Sequence, residues 1–284
     1  MEQPCRFAVE PADAGARLDH VVARRLGVSR GYARKLVAAE RVLLAGRPAA
    51  KGTLLRAGEE IWVLAFARPD DPPLASPELE LRVVARDSRW VAIDKPASQP
   101  THPLDASERD TALNAFIARF PEVAGVGEGG LRSGVVHRLD PGTSGVLLFA
   151  LGNESWQRAR AAFAEKRVHK RYVARVHGAF TGEREVELAL ESRGDHVRVV
   201  SRGGRLARSR IRARRTGSDE SLVEIEMQTG VRHQIRATLA YLGFPVVGDA
   251  LYGSPAALPR HWLHAESLAW EDFAAQAPAP PELR

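Results

Sequence analysis

A single cysteine, Cys5, stands in the 284 residues, so no disulfide can form within the chain and nothing in its thiols points to an oxidising compartment. No stretch approaches the ~18 apolar residues of a membrane span, and residues 1–9 lack the apolar core of a secretory leader. These absences lead to the expectation of a cytoplasmic protein that stays off the membrane. No long heptad or broad apolar surface run calls for a second copy, so a monomer is expected. Phosphate-cradling glycine loops and convincing metal-ligand spacings are missing too, which removes the usual signatures of nucleotide and zinc chemistry. Lysine is scarce: Lys35, Lys51, Lys95, Lys166 and Lys170 are the only five among 41 basic residues. Arginine is therefore the basic residue to explain. Its planar fork grips phosphate in two places and stacks on bases, but a GC-rich genome would also write many arginines, so their distribution says more than their total.

What is present suits a folded protein. Hydrophobic residues make up 44% and charged residues 27% of the chain, enough for a core, and the length suggests two domains. The net charge is +6, and it is localised. Between residues 17 and 51 lie Arg17, Arg24, Arg25, Arg30, Arg34, Lys35, Arg41, Arg47 and Lys51 against only Asp19 and Glu40, leaving the rest of the chain close to neutral. In this segment Leu18, Val21, Val22 and Leu26 recur at helical spacing, Gly27 stops the run, and Ser29 is placed to cap a second helix with Tyr32, Ala33, Leu36 and Val37 inward. Short strands punctuated by Gly46, Pro48, Gly52 and Gly58 follow. The spacing predicts a basic ααβ module over residues 10–66, a proline-rich linker over 67–78, a larger domain over 79–272 and a loose tail over 273–284.

The larger domain reads as α+β with a mainly antiparallel, mixed sheet. Strand patterns fall at 81–84, 90–93, 134–139, 146–151, 168–176 and 222–227. Helical patterns fall at 111–120, at 153–166 with Asn153 as cap, and at 232–242 ended by Gly243. His261 and His264, with His233, lack the acidic or cysteine partner that would complete a zinc set, so no metal is expected.

The chemistry concentrates in Val135-Val136-His137-Arg138-Leu139-Asp140-Pro141-Gly142-Thr143-Ser144-Gly145. Asp-Pro-Gly and Thr-Ser-Gly are ordinary turn chemistry. Arg138 and Asp140, however, project to one side beside a buried sheet, where a charged pair costs desolvation. His-Arg-Leu-Asp-x-x-Thr-Ser-Gly resembles the catalytic signature of the RluA branch of pseudouridine synthases. Lys170-Arg171-Tyr172-Val173-Ala174, Thr229-Gly230-Val231-Arg232-His233-Gln234-Ile235-Arg236, Gly248-Asp249-Ala250-Leu251-Tyr252-Gly253 and Leu263-His264-Ala265 resemble further family motifs in the expected order. The basic module, through Arg17-Leu18-Asp19, Ser29-Arg30, Leu36 and Gly58-Glu59-Glu60-Ile61, is similar to the S-four-type RNA-binding module. Three departures stand out: Val231 replaces an arginine, Ser98 ends Asp94-Lys95-Pro96-Ala97-Ser98 where the family has glycine, and Ala45 replaces asparagine in Leu44-Ala45-Gly46.

The resemblance implies an isomerase that turns uridine into pseudouridine without a cofactor, on RNA. It makes Asp140 the essential carboxylate, as nucleophile or as base. Arg236 becomes the cation that keeps it charged, though helical periodicity alone would leave Arg236 snorkelling at the edge of an apolar stripe formed by Ile235, Leu239 and Leu242. Tyr172 would stack on the uracil, Arg138 would fill the space of a flipped-out nucleotide, and Leu263 would line the pocket. Arg30, Arg34 and Lys35 are the candidate RNA contacts of the basic module. Arg208, Arg210, Arg212 and Arg214 alternate in a run of seven arginines without an acid. Arg210 and Arg212 there are expected to form an RNA-backbone track, against the plainer reading of a charged, solvated edge strand. A module of this kind before such a domain points to large-subunit ribosomal RNA as target. The alternatives are transfer RNA or a non-catalytic RNA-binding ribosome-assembly factor.

Overall fold

The computed structural model describes residues 3–66, 71–254, 258–271 and 273–284. The chain divides into two units, residues 1–72 with 104–107 and residues 73–103 with 108–284. Residues 67–70 of the expected linker lie outside the described residues. Its later part is not a free connector. Ser76 is buried, its N–H donates to the Asn114 carbonyl (3.1 Å), and the Asn114 amide donates to the Leu74 carbonyl (2.7 Å). A side-chain amide thus ties this segment into the second unit.

In the first unit, α1 (Leu18–Leu26) and α2 (Arg30–Ala38) share a core with a four-stranded antiparallel sheet. Its strands β1 (Cys5–Ala8), β2 (Val42–Leu44), β3 (Arg47–Pro48) and β4 (Glu60–Val63) run in the order β1-β4-β2-β3. Gly27 ends α1 in the left-handed conformation at φ 66°, and Ser29 Oγ accepts the Tyr32 N–H at 3.1 Å. Leu18, Val22, Leu36, Val42 and Ile61 are buried together, which leaves Arg30, Arg34 and Lys35 exposed on α2. Ala45 and Gly46 both have positive φ (48° and 77°) between β2 and β3, the backbone of a two-residue hairpin turn matched to strand twist.

The second unit is built on a ten-stranded sheet. In chain order its elements are β5 (Val83–Arg86), β6 (Trp90–Lys95), α3 (Ala112–Arg119), β7 (Ser144–Ala150), α4 (Asn153–Ala164), β8 (His169–His177), β9 (Glu183–Arg193), β10 (His196–Val200), β11 (Arg205–Thr216), β12 (Glu220–Met227), α5 (Gln234–Tyr241), β13 (Leu263–Trp270) and β14 (Phe273–Gln276). The strand order is β10-β9-β11-β12-β8-β13-β7-β6-β5, with β14 beside β13, and every pair is antiparallel except β13 with β7. β7 is buried along its whole length. Leu147 and Phe149 face the cluster around Phe116 of α3, while Val146, Leu148 and Ala150 face Trp90, Ala159 of α4 and Trp270. Coverage on both faces explains its unbroken apolar sequence.

Several expectations are corrected here. Residues 134–139 form no strand, only a single bridge from Val135 to Phe149. Side chains replace the ladder: Trp156 and Arg160 of α4 donate to the Val135 and Val136 carbonyls (2.9 and 3.0 Å), and the Leu148 N–H bonds the His137 ring nitrogen (3.1 Å). Asn153 does not cap α4; its carboxamide oxygen accepts the Gly127 N–H at 2.8 Å. The tail is not loose, because Phe273–Gln276 pairs with β13 and Leu283 is buried with Val173 and Leu222.

Candidate active site

Asp140 sits in the loop that leads into β7, and that loop is fastened from three sides. The buried Thr101 hydroxyl donates to the Leu139 carbonyl (2.9 Å) and accepts the Leu139 N–H (3.0 Å). Lys95, fully buried at the end of β6, donates to the carbonyls of Pro96, Gln99 and Pro141 at 2.8, 2.6 and 3.1 Å. Burial pushes the Lys95 amine down to about 7, with the charge of Asp140 acting in the opposite direction. Thr143 Oγ1 lies 2.9 Å from His261 Nε2.

Beyond the loop, β7 pairs in parallel with β13. His264 Nε2 lies 3.1 Å from the Ala277 carbonyl, which can only accept, so this nitrogen carries the hydrogen and Nδ1 accepts the Ser144 hydroxyl at 2.9 Å. The backbones approach so closely that a Cβ on Gly145 (φ 106°) would stand 2.2 Å from the Ala265 carbonyl oxygen. His261 Nε2 and His264 Nδ1 are thus both engaged by the loop hydroxyls. Among the described residues no cluster of ligating side chains could hold a metal ion.

Asp140 faces an open-sided pocket lined by Arg138, Leu139, Asp140, Thr143, Tyr172, Met227, Val231, His233, Gln234, Ile235, Arg236 and Leu263. Five of the expected site residues thus come together: Arg138, Asp140, Tyr172, Arg236 and Leu263. Arg138 is exposed at the rim and Leu263 is buried. Tyr172 comes from β8 and is buried. Burial first, and the nearby charge of Asp140 second, raise its phenol pKa, so the ring stays neutral and presents a flat apolar surface.

Arg236 differs from the helix-edge expectation. It is only 7% exposed, because α5, which starts at Gln234 after a left-handed His233 (φ 52°), is buried without a break from Gln234 to Leu239 and has no solvent edge there. Its Nη1 donates to Asp140 Oδ2 (3.0 Å), while Nε and Nη2 bond the two oxygens of buried Asp249 (2.6 and 2.8 Å). Burial works against its charge, but Asp249 first and Asp140 second more than compensate and raise the pKa. His233 Nε2 stands 3.7 Å from Asp140 Oδ2, and its Nδ1 is 3.0 Å from the Tyr252 hydroxyl, which accepts the Val197 N–H at 2.9 Å. Asp249 and Tyr252 lie in the 248–253 motif, where sequence reasoning saw a pattern but no role. Their link to Arg236 and His233 exists only in three dimensions.

Val231, the departure from the family arginine, is 8% exposed and packs with Leu190, Val197, Ala207 and Ala237. Arg232 does not stand in for it. It donates to the Gly194 and Asp195 carbonyls (2.8 and 3.3 Å) in the turn between β9 and β10.

Two observations set Arg210 and Arg212 apart from the pocket. Tyr172, Ile225 and Ile211 are in register across β8, β12 and β11, so their neighbours Arg210 and Arg212 point away from the pocket face. The outer face is also not basic. Arg208 pairs with Glu187 (2.5 Å), Arg210 with Glu183, Arg212 with Glu224 (2.9 Å), and Arg214 with Glu224 and Glu266 (2.5 and 2.7 Å). The acids absent from the arginine run come from neighbouring strands.

The chain is similar to known proteins over most of its length. The RNA pseudouridylate synthase family model matches residues 89–241, and the S4 domain model matches residues 16–61. An uncharacterized RNA pseudouridine synthase of Chloroflexus aurantiacus is 34% identical, over 95% of this chain and 89% of its own. A ribosomal large subunit pseudouridine synthase D of Xanthomonas campestris is 31% identical over 100% and 92%, and one of Xylella fastidiosa is 33% identical over 87% and 74%. Among solved structures, human RNA pseudouridylate synthase domain containing 1 has the same fold with a TM-score of 0.58 at 23% identity, covering 72% of this chain and 86% of that one.

Proposed function

Because the chain belongs to the RNA pseudouridylate synthase family, we propose that its target is large-subunit ribosomal RNA and that Asp140 is the carboxylate that acts on the ribose. The reaction breaks the bond from ribose to the uracil nitrogen, turns the base, and rejoins ribose to a ring carbon. The carbon gives up its proton and the freed nitrogen gains one, so the product is an isomer. It calls for a placed carboxylate and a shaped pocket rather than a group carrier.

One observation carries this reading: the Asp140 carboxylate faces the pocket beside Tyr172 and Leu263 and receives the Arg236 guanidinium at 3.0 Å. In that setting Asp140 serves as nucleophile or base, Tyr172 stacks on the uracil, and Leu263 closes the apolar floor. A stacked base hides its sugar bond, so the nucleotide is flipped out and Arg138, exposed at the rim, fills the vacated place. The ribosomal target is supported by the relatives named for it and by the S4 domain, where Arg30, Arg34 and Lys35 offer exposed cations to the RNA backbone. No helix among the described residues is long and apolar enough to cross a membrane. We place the protein in the cytoplasm, acting as a monomer.

The test maps pseudouridines chemically on RNA from cells lacking the gene, complemented with wild type or Asp140→Asn. Wild type is expected to restore sites in large-subunit ribosomal RNA and D140N none. Sites restored only in transfer RNA overturn the target, and sites restored by D140N overturn the assigned carboxylate.

A further inference from the structure

Asp249 and Arg236 are both buried, 2% and 7% exposed, and the way Arg236 distributes its donors is specific. A guanidinium has one edge, formed by Nε and one Nη, that matches a carboxylate with two parallel bonds. Asp249 takes that edge, through Nε at 2.6 Å and Nη2 at 2.8 Å. Asp140 receives only Nη1, at Oδ2, and its Oδ1 is bonded by no side chain among the described residues.

We propose that Asp249 is a positioning residue that occupies the bidentate edge of Arg236, so that the guanidinium steadies Asp140 through one N–H and cannot chelate it. A carboxylate held by the full fork has both oxygens engaged in charge-assisted bonds, and attacking a sugar carbon or taking a sugar proton would break them. With the fork occupied, one oxygen of Asp140 is steadied and the other is left for the substrate. Asp249 also shares the single positive charge, so two carboxylates draw on one cation. Asp249 comes from the 248–253 segment and Arg236 from α5. The Asp249 N–H bonds the Val246 carbonyl (3.1 Å), and Tyr252 from the same segment lies beneath the guanidinium, 5.1 Å from ring centroid to Cζ.

This inference rests on the reading of Asp140 as the reacting carboxylate, and the experiment separates the two. Full-length wild type, D140N, D249N, D249E, R236K and the D249N/R236K double variant are assayed by tritium release from large-subunit ribosomal RNA labelled at uracil C5. RNA affinity is measured in parallel by filter binding. D249N is expected to lose ~100-fold in turnover at unchanged RNA affinity, and D249E, which can still hold the fork, to keep at least about a tenth of wild-type turnover. The decisive arm is the double variant. Lysine cannot chelate, so R236K should raise turnover in the D249N background although it lowers turnover in wild type, a coupling of opposite sign. Wild-type turnover in D249N, or a further loss on adding R236K to it, overturns the proposal. Should D249N unfold on heating below wild type and yield no usable protein, a ~100-fold loss in D249E overturns it as well. Activity in D140N would bring down the underlying reading, whatever Asp249 does.

Discussion

At Ala45 and Ser98 the chain departs from its family, and at both the backbone enters the left-handed region, with φ of 48° and 68°. A Cβ there crowds the following carbonyl at a cost of ~1–2 kcal/mol, which asparagine relieves in part and glycine wholly. Ala45→Asn is therefore expected to stabilise the first unit, and Ser98→Gly the second, each by about 1 kcal/mol on that scale, read from urea midpoints at unchanged slope. An unchanged or lower midpoint would show that these turns have already relaxed around their side chains. Residue-scale legibility was uneven for one reason. Asp140 and its turn are contiguous, so one motif displays them, whereas Lys95, Asp249 and Tyr252 act on partners remote in sequence. Arg236 looked like a helix-edge residue because periodicity assumes one solvated face, whereas α5 is buried without a break from Gln234 to Leu239.

Elements were legible where one face or both are apolar throughout, as in β7, β8 and β12. They were missed where charge dominates. β9 reads as a polar run because alternate residues Glu183, Glu185 and Glu187 are solvent-facing, and residues 134–139 have strand composition although side chains of α4 and Thr101 take up the backbone bonds of Val135, Val136 and Leu139. The ion-paired outer face carries a prediction of its own. Replacing Arg210 and Arg212 by glutamine should leave the slope of RNA affinity against salt unchanged, since each guanidinium already faces a carboxylate. The same change at Arg30 and Lys35 should flatten that slope by roughly one for each phosphate no longer neutralised. A flatter slope in the Arg210/Arg212 variant would show that RNA displaces those carboxylates.

Across the whole molecule the two-unit division and the antiparallel α+β plan were readable from pattern and charge, while the sheet order was not, since strand pairing depends on contacts that no local period records. One global property follows from burial. His102, His137 and His261 have their imidazole pKa values pushed down by burial to about 4, 3 and 4. In the unfolded chain all three would take up protons as pH falls through ~6.5, and in the folded protein they remain neutral until the pH approaches those lower values. The unfolded state then binds more protons, so stability should fall between pH ~6.5 and ~4, at up to about 1.4 kcal/mol per pH unit for each imidazole. Urea unfolding at pH 7 and pH 5 measures this, and removing one proton acceptor with His261→Asn should make the dependence shallower. Equal pH slopes in wild type and variant would mean that His261 is not among the residues responsible.

The strand order also bears on biosynthesis. β5, β6 and β7 form one block and β8 to β12 another, and the two are joined through β13 alone. A ribosome makes β13 after all of these, and before it emerges neither half of the sheet can close on the other, Gly145 has no neighbour to fit against, and Leu263 is not yet in place. The nascent chain thus carries its aspartate motif for more than a hundred residues of translation before the strand that receives Gly145 and supplies Leu263 to the pocket is made.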